Sequence, residues 1–292
     1  MYEKQEKAPV EWRLHIGVHK TATTHLQDIL AANRDGLAVD GFDYFPRELI
    51  RQSKLVPTIN HNFWQTQLPY ARRASLEELV MPLRSGPAKI IVSEENIIGN
   101  SAQLLRGLYP DLQSRLVPWS SIMDQGKTTV FVSLRNFADV LPSAYSQALR
   151  DGSIIPPFRH FLAFWLEKRP KWSQFISRVR EAFPNSRLRV WTFDEYSENQ
   201  LRIASLLSGM ANLKVIDVPI PRQTKTLSWE AINYIEKLDP RLPFLERRKR
   251  ILNIASSTVE SEPFSPLNKL ERNELADYYM RDMELIRSMG FD

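Results

Sequence analysis

The residues best suited to chemistry lie in HIGVHKTATTHLQ, positions 15–27. An apolar run ends at Gly17-Val18 and a helical pattern begins near Thr24. The turn between them holds His19, Lys20, Thr21, Ala22 and Thr23. A helix N-terminus offers unpaired backbone N–H groups and the positive end of its dipole, and the two together attract an anion. Lys20 adds a point charge, and Thr21, Thr23 and Thr24 add hydroxyl donors. The spacing is not that of the common triphosphate loop, G-x-x-x-x-G-K-[ST], which places a Gly directly before the Lys. Here His19 precedes Lys20, and Gly17 stands three residues before it.

A second set lies in VFVSLRNFADVLPSAY, positions 130–145. A strand delivers Arg135 at its carboxyl end, and Ser143 follows eight residues later on a helix. A guanidinium fork and a hydroxyl converging there could grip a phosphate. The alternative is an Arg135 paired with a core carboxylate and a Ser143 with no role. A third set is Ser93-Glu94-Glu95, at another strand end. Two carboxylates there are costly unless paired or used. Successive strand residues point to opposite faces, so one of Glu94 and Glu95 enters a site.

The elements that must position these residues are strands at 12–18, 89–93, 129–134 and 188–193. The middle two carry nearly continuous apolar runs, IIV and VFV, as a parallel strand buried on both faces requires. Helices are expected at 24–32, 139–149 with Pro142 in its first turn, 172–183, 229–238 capped by Ser228, and 267–289. Strands alternating with helices give an α/β fold, a three-layer α/β/α sandwich around a central parallel sheet. Ligands of such sheets bind at the carboxyl ends of the strands. One domain is expected, with a core at about 12–238 and a helical C-terminal extension over 239–292.

The chain has 292 residues, 43% hydrophobic and 25% charged, as in ordinary globular proteins. The net charge of +5 fits a site for multiply charged anions, and equally weak nucleic-acid binding. With no cysteine, disulfides, thiolate metal sites and a Cys nucleophile are excluded. The first residues lack an apolar signal core and no stretch approaches the ~18 apolar residues of a membrane span. A cytoplasmic protein is the default expectation. The five histidines show no metal-ligand spacing, so no metal is implied.

The loop resembles the 5′-phosphosulfate loop of sulfotransferases that use 3′-phosphoadenosine 5′-phosphosulfate (PAPS), whose bacterial members show G-x-x-K-T-G-T-T followed by Leu-Gln. Gly17, Lys20, Thr21, Thr23, Thr24, Leu26 and Gln27 match, while Ala22 replaces the usual Gly. Arg135 and Ser143 are similar to the pair that holds the donor's 3′-phosphate in that family, with Phe137 where Pro is usual. Weaker likeness extends over residues 170–195 and 221–232. The resemblance implies a P-loop-like fold and transfer of a sulfuryl group to a hydroxyl or amine acceptor, a small molecule or carbohydrate, even a glycolipid. It implies adenosine 3′,5′-bisphosphate (PAP) as product, no nucleic-acid partner and no metal. Glu95 maps onto the catalytic base, with Glu94 as the second candidate. Arg222 or Lys225 is placed to close over the donor, His25 to stack on adenine, and His61 and Tyr145 to face the acceptor. The acceptor-side segments expected are 56–73 and 151–169. Oligomeric state is left open. The competing readings are a small-molecule kinase with a variant loop and an inactive nucleotide-binding scaffold.

Overall fold

Strand β1 (Glu11–His15) is the centre of the molecule, and its alternating side chains divide the core in two. The computed structural model describes residues 10–52, 89–123, 127–211, 213, 226–259 and 261–290. After β1 come α1 (Thr23–Ala32), α2 (Arg34–Val39), β2 (Phe42–Phe45) and α3 (Arg47–Gln52). Then follow β3 (Lys89–Ser93), α4 (Ser101–Leu105), α5 (Leu112–Met123), β4 (Thr128–Leu134), α6 (Phe137–Arg150), α7 (Phe158–Lys168) and α8 (Trp172–Ala182). Strand β5 (Arg187–Thr192) precedes α9 (Phe193–Glu198), α10 (Gln200–Ser208), α11 (Trp229–Glu236), α12 (Phe244–Ser257) and α13 (Lys269–Ser288).

The five strands form one parallel sheet in the order β2-β3-β1-β4-β5. Helices cover both faces, so the three-layer α/β architecture expected from the alternation is the one observed. Trp12, Leu14, Ile90, Val92, Val130 and Val132 point into the larger core with α4 to α8 and the C-terminal helices. Ile91, Phe131 and Trp191 point into a smaller one with Leu26, Ile29 and Leu30 of α1 and Ile203 and Leu207 of α10. Helix α1 thus lies on one face and α6 on the other. The chain reverses its winding direction around β1, and a crevice opens outside the carboxyl ends of β1 and β4.

Four strands fall close to their expected positions. Strand β2 was not expected, because FDYF is only four residues long, and its flanking Gly41 and Pro46 bound a run too short to read as a strand. Helix α6 begins at Phe137, capped by Asn136, whose side chain accepts from Ala138 N–H at 2.9 Å. Pro142 therefore sits in the second turn, where it removes one intrahelical hydrogen bond, and not in the first. Ser228 caps α11 as expected, accepting from Ala231 N–H at 3.1 Å.

The C-terminal helix is part of the main core, burying Leu275, Tyr279, Met283 and Ile286. Asp282 accepts from Trp172 N–H (2.5 Å), Ser173 N–H (3.2 Å) and Ser173 Oγ (2.6 Å), which caps α8 from a distance in sequence. No described helix is long and apolar enough to cross a membrane.

Candidate active site

The loop after β1 is stitched to β4 by backbone hydrogen bonds, Ile16 N–H to Phe131 O (2.9 Å) and Val18 N–H to Ser133 O (3.1 Å). Thr21 closes the turn from inside: its Oγ1 donates to Val18 O at 2.6 Å and lies 2.7 Å from Ser133 Oγ. Gly17 is required by close approach. A Cβ there would lie 2.6 Å from Thr23 Oγ1, 2.7 Å from Ser133 Oγ and 2.9 Å from His15 Nε2.

Two non-glycine residues of the loop have left-handed backbone, Lys20 (φ 72°) and Ala22 (φ 60°). Ala22 is also the N-cap of α1 and supplies no side-chain cap, so the first-turn amides are left to serve a ligand. Left-handed alanine crowds its Cβ against the following carbonyl, at about 1–2 kcal/mol. Ala22→Gly is therefore expected to raise stability by about 1 kcal/mol, net of glycine's greater unfolded-state entropy. Thermal unfolding should show Tm about 2–4 °C higher. An unchanged or lower Tm would contradict the left-handed conformation at this position.

His15 lies beneath the loop, fully buried. Its Nδ1 is 2.8 Å from Ser93 Oγ and its Nε2 3.4 Å from Ser133 Oγ, and its ring stacks on Trp191 at 5.2 Å. Burial lowers its pKa to about 3, so the imidazole is neutral at ordinary pH.

Above the loop opens a cleft of about 510 Å³, within the range of small-molecule sites. Its lining includes Lys20, Ala22, Thr23, Thr24 and His25 from the first motif, Arg135 and Ser143 from the second, and Glu95 from the third. Arg135 Nη1 donates to Lys20 O at 2.6 Å, which holds the left-handed turn, and its guanidinium lies 4.3 Å over the Phe193 ring. Trp172 Nε1 donates to Arg135 O at 3.0 Å and fixes the strand end. Arg135 Nε is buried without a hydrogen-bond partner among the described residues. The cations crowd each other. Burial lowers the pKa of Lys20, Arg135 and Arg150 lower it further, and Asp151 opposes them. Burial likewise lowers that of Arg135, against Asp139 and Asp194. A site that desolvates and clusters cations is built to receive an anion.

The two carboxylates after β3 have different surroundings. Glu94 is buried and caps the short 3₁₀ turn Glu95–Ile97, accepting from Asn96 N–H (3.0 Å) and Asn96 Nδ2 (2.5 Å). Glu95 faces the cleft, with its Oε2 3.4 Å from Gln27 Nε2. Gln27 also donates to Ser93 O at 2.8 Å, which ties α1 to the end of β3.

Other expected site residues lie elsewhere. Gly17 and Thr21 sit behind the loop and shape it. His25 lines the cleft, but its Nδ1 is held 2.6 Å from Tyr196 OH and its ring is edge-on to Tyr196. Tyr145 is not brought to the cleft. It is fully buried among Phe158, Phe161 and Phe264, and its hydroxyl donates to Glu236 Oε1 at 2.6 Å. Phe161 and Trp165 of 151–169 turn inward with it, whereas Phe164 is exposed, and Trp165 Nε1 donates to Leu105 O at 2.7 Å. Segment 151–169 reaches the cleft only through Asp151. His61, Arg222, Lys225 and the segment 56–73 lie outside the described residues.

The cleft also contains residues that the motifs did not single out. Phe193 follows the carboxyl end of β5, and Asn96, Asn100 and Ser101 follow β3. The end of β5 carried no motif to mark Phe193, and the three polar residues continue the Ser93–Glu95 set along the chain. Gln147 and Asp151 lie one and two turns beyond Ser143 on the same face of α6, and helical spacing alone predicts that.

The sequence matches no protein-family model, and no curated protein matches it. Among solved structures, that of a sulfotransferase from Alicyclobacillus acidocaldarius is similar to this chain. It is 14% identical, with a TM-score of 0.42, covering 87% of this chain and 96% of that one.

Proposed function

We propose that this chain is a sulfotransferase that moves a sulfuryl group from PAPS to a hydroxyl or amine acceptor. The observation that carries the reading is the meeting, in one cleft, of two separate anion grips and a carboxylate, with Lys20 after β1, Arg135 after β4 and Glu95 after β3. One is Lys20 with the uncapped N-terminus of α1, and the other is Arg135 with Ser143. A donor phosphorylated at both 3′ and 5′ positions needs two such grips.

The residues fit that donor. Among the described residues Arg135 Nε has no hydrogen-bond partner, and the Phe193 ring beside the guanidinium lines the cleft as a surface for a base. Thr23, Thr24 and the first-turn amides hold the 5′ end. Lys20 neutralises charge that builds on the departing phosphate oxygen. Glu95 accepts the acceptor's proton as general base, while Glu94 caps the turn that presents it.

The test is equilibrium binding in EDTA. PAP is expected to bind about 10–100-fold tighter than 5′-AMP, the worth of charge-assisted bonds to one phosphate. Ser143→Ala should shrink that preference about two- to tenfold, the worth of one neutral hydrogen bond. Arg135→Ala should abolish it. Equal binding of the two nucleotides, or tighter binding of ATP in a parallel titration with Mg²⁺ in place of EDTA, would favour a kinase.

A further inference from the structure

The cleft residue with the most elaborate support is His19, which has no part in the roles above. Its backbone N–H donates to the Tyr109 hydroxyl at 3.1 Å, and its Nδ1 lies 2.8 Å from the same oxygen. A backbone N–H can only donate, so the hydroxyl oxygen accepts there; were it to accept from Nδ1 as well, the buried phenol proton would have no acceptor among the described residues, so that proton goes to Nδ1. Tyr109 is fully buried, and burial raises its pKa, so the phenol keeps a proton to give. With Nδ1 occupied as acceptor, the ring proton is on Nε2. That nitrogen faces Asn96 Oδ1 at 3.4 Å, a long contact at the cleft wall.

Tyr109 is held in place by an unusual backbone. Leu108 (φ 58°) and Tyr109 (φ 59°) are consecutive non-glycine residues in the left-handed region, after Gly107 at φ 112°. Such residues persist only where the surroundings over-determine them, and they gather at functional sites. Here Tyr109 N–H donates to Gln103 O at 3.0 Å, and the Arg178 guanidinium donates to Leu108 O at 3.2 Å and to Tyr109 O. Phe175 packs against the ring at 5.8 Å. Three elements, α4, the turn after it and α8, thus fix one hydroxyl beneath one imidazole.

We propose that His19 is a fixed hydrogen-bond donor, giving its Nε2 proton to an oxygen of the group in transfer, and that Tyr109 is the positioning residue that locks this tautomer. The role given to the donor rests on the sulfuryl-transfer reading, whereas the tautomer lock does not. A donor held next to Lys20 acts on charge that develops during transfer and needs no reorganisation. With Nε2 protonated it has no lone pair toward the cleft, so it leaves the base role to Glu95.

Long-range ¹H–¹⁵N spectra of the histidine-labelled full chain read the tautomer directly. His19 is expected as Nε2–H in the wild type and as a mixture in Tyr109→Phe. In the transfer assay His19→Ala should lower kcat about 100-fold with donor KM little changed. His19→Gln, which sets an amide N–H near the Nε2 position, should recover about tenfold of that loss, and Tyr109→Phe should lose about tenfold. An Nδ1–H tautomer in the wild type, or an unchanged one in Tyr109→Phe, overturns the lock. A His19→Gln no better than His19→Ala overturns the donor role. A wild type without sulfuryl transfer removes that role together with the proposed function, and the spectrum still decides the lock.

Discussion

Lys20→Met is expected to lower sulfuryl transfer by about 10²–10³, the loss that follows removal of one preorganised charge-stabilising group. It should do so without destabilising the protein. The pKa of Lys20 is lowered by burial and then by Arg135 and Arg150. A lysine whose folded pKa lies below its unfolded one costs stability while it is charged in both states. That cost is relieved only as pH rises from the folded value toward 10.5. Methionine fills a similar volume and has no charge to desolvate. The free variant should therefore unfold at the same temperature as the wild type or a higher one at pH 7. Activity bought at the expense of stability is the usual sign of a functional charge. Glu95→Gln should give a comparable loss of turnover, about 10²–10⁴, with PAP affinity retained. A Lys20→Met protein that melts several degrees lower would identify Lys20 as structural. The same pKa shift sets the alkaline limb: anion affinity should fall at a lower pH than an ordinary lysine would give.

Acid is expected to destabilise the chain through His15. Its folded pKa of about 3 lies below the unfolded value of 6.5. Between those limits the unfolded chain binds one more proton than the folded one. Stability is then fully present above pH 6.5 and falls as pH drops, by about 1.4 kcal/mol per pH unit from this group alone. The total by pH 3 is on the order of 4–5 kcal/mol, a large part of the stability of a typical domain. The cause is local. Ser93 and Ser133 accommodate a neutral ring between them, and Trp191 covers its face. Among the described residues no carboxylate hydrogen-bonds the His15 ring to compensate a charge. Chemical denaturation at pH 7 and at pH 5 measures the effect, and His15→Gln should flatten the dependence by one proton's worth. Equal pH slopes in wild type and variant would show that His15 carries charge in the fold.

The part of the site legible in the sequence is the part whose residues are consecutive. Gly17, Lys20 and the threonines share one turn, so their order along the chain already states their meeting. Arg135 and Ser143 were legible because one ends a strand and the other lies on the next helix. Orientation was less so. Tyr145 is two residues from Ser143, about 200° around the helix, so it faces the core when Ser143 faces the cleft. Glu95 was ranked above Glu94 on the resemblance alone, and the physical distinction between them came only with the 3₁₀ turn, where Glu94 is consumed as a cap. The aromatic richness of 151–169 reads equally as a substrate wall or as packing, and the contacts of Phe158 and Phe161 with Tyr145 make it packing. Residues such as His19, Tyr109 and Phe193 gain their relation only through tertiary contact. The strain at Ala22 was foreseeable, because a loop type that uses glycine there imposes its backbone on whatever replaces it.

The most direct measurement of the central claim is a side-by-side transfer assay with two labels. The chain is given ³⁵S-labelled PAPS in EDTA and, separately, γ-³²P-labelled ATP with Mg²⁺, each with pooled sugars, lipids, phenols and amines. The expected result is ³⁵S in an acceptor without added metal, and loss of that label in Lys20→Met. Transfer of ³²P with Mg²⁺ and none of ³⁵S would contradict it.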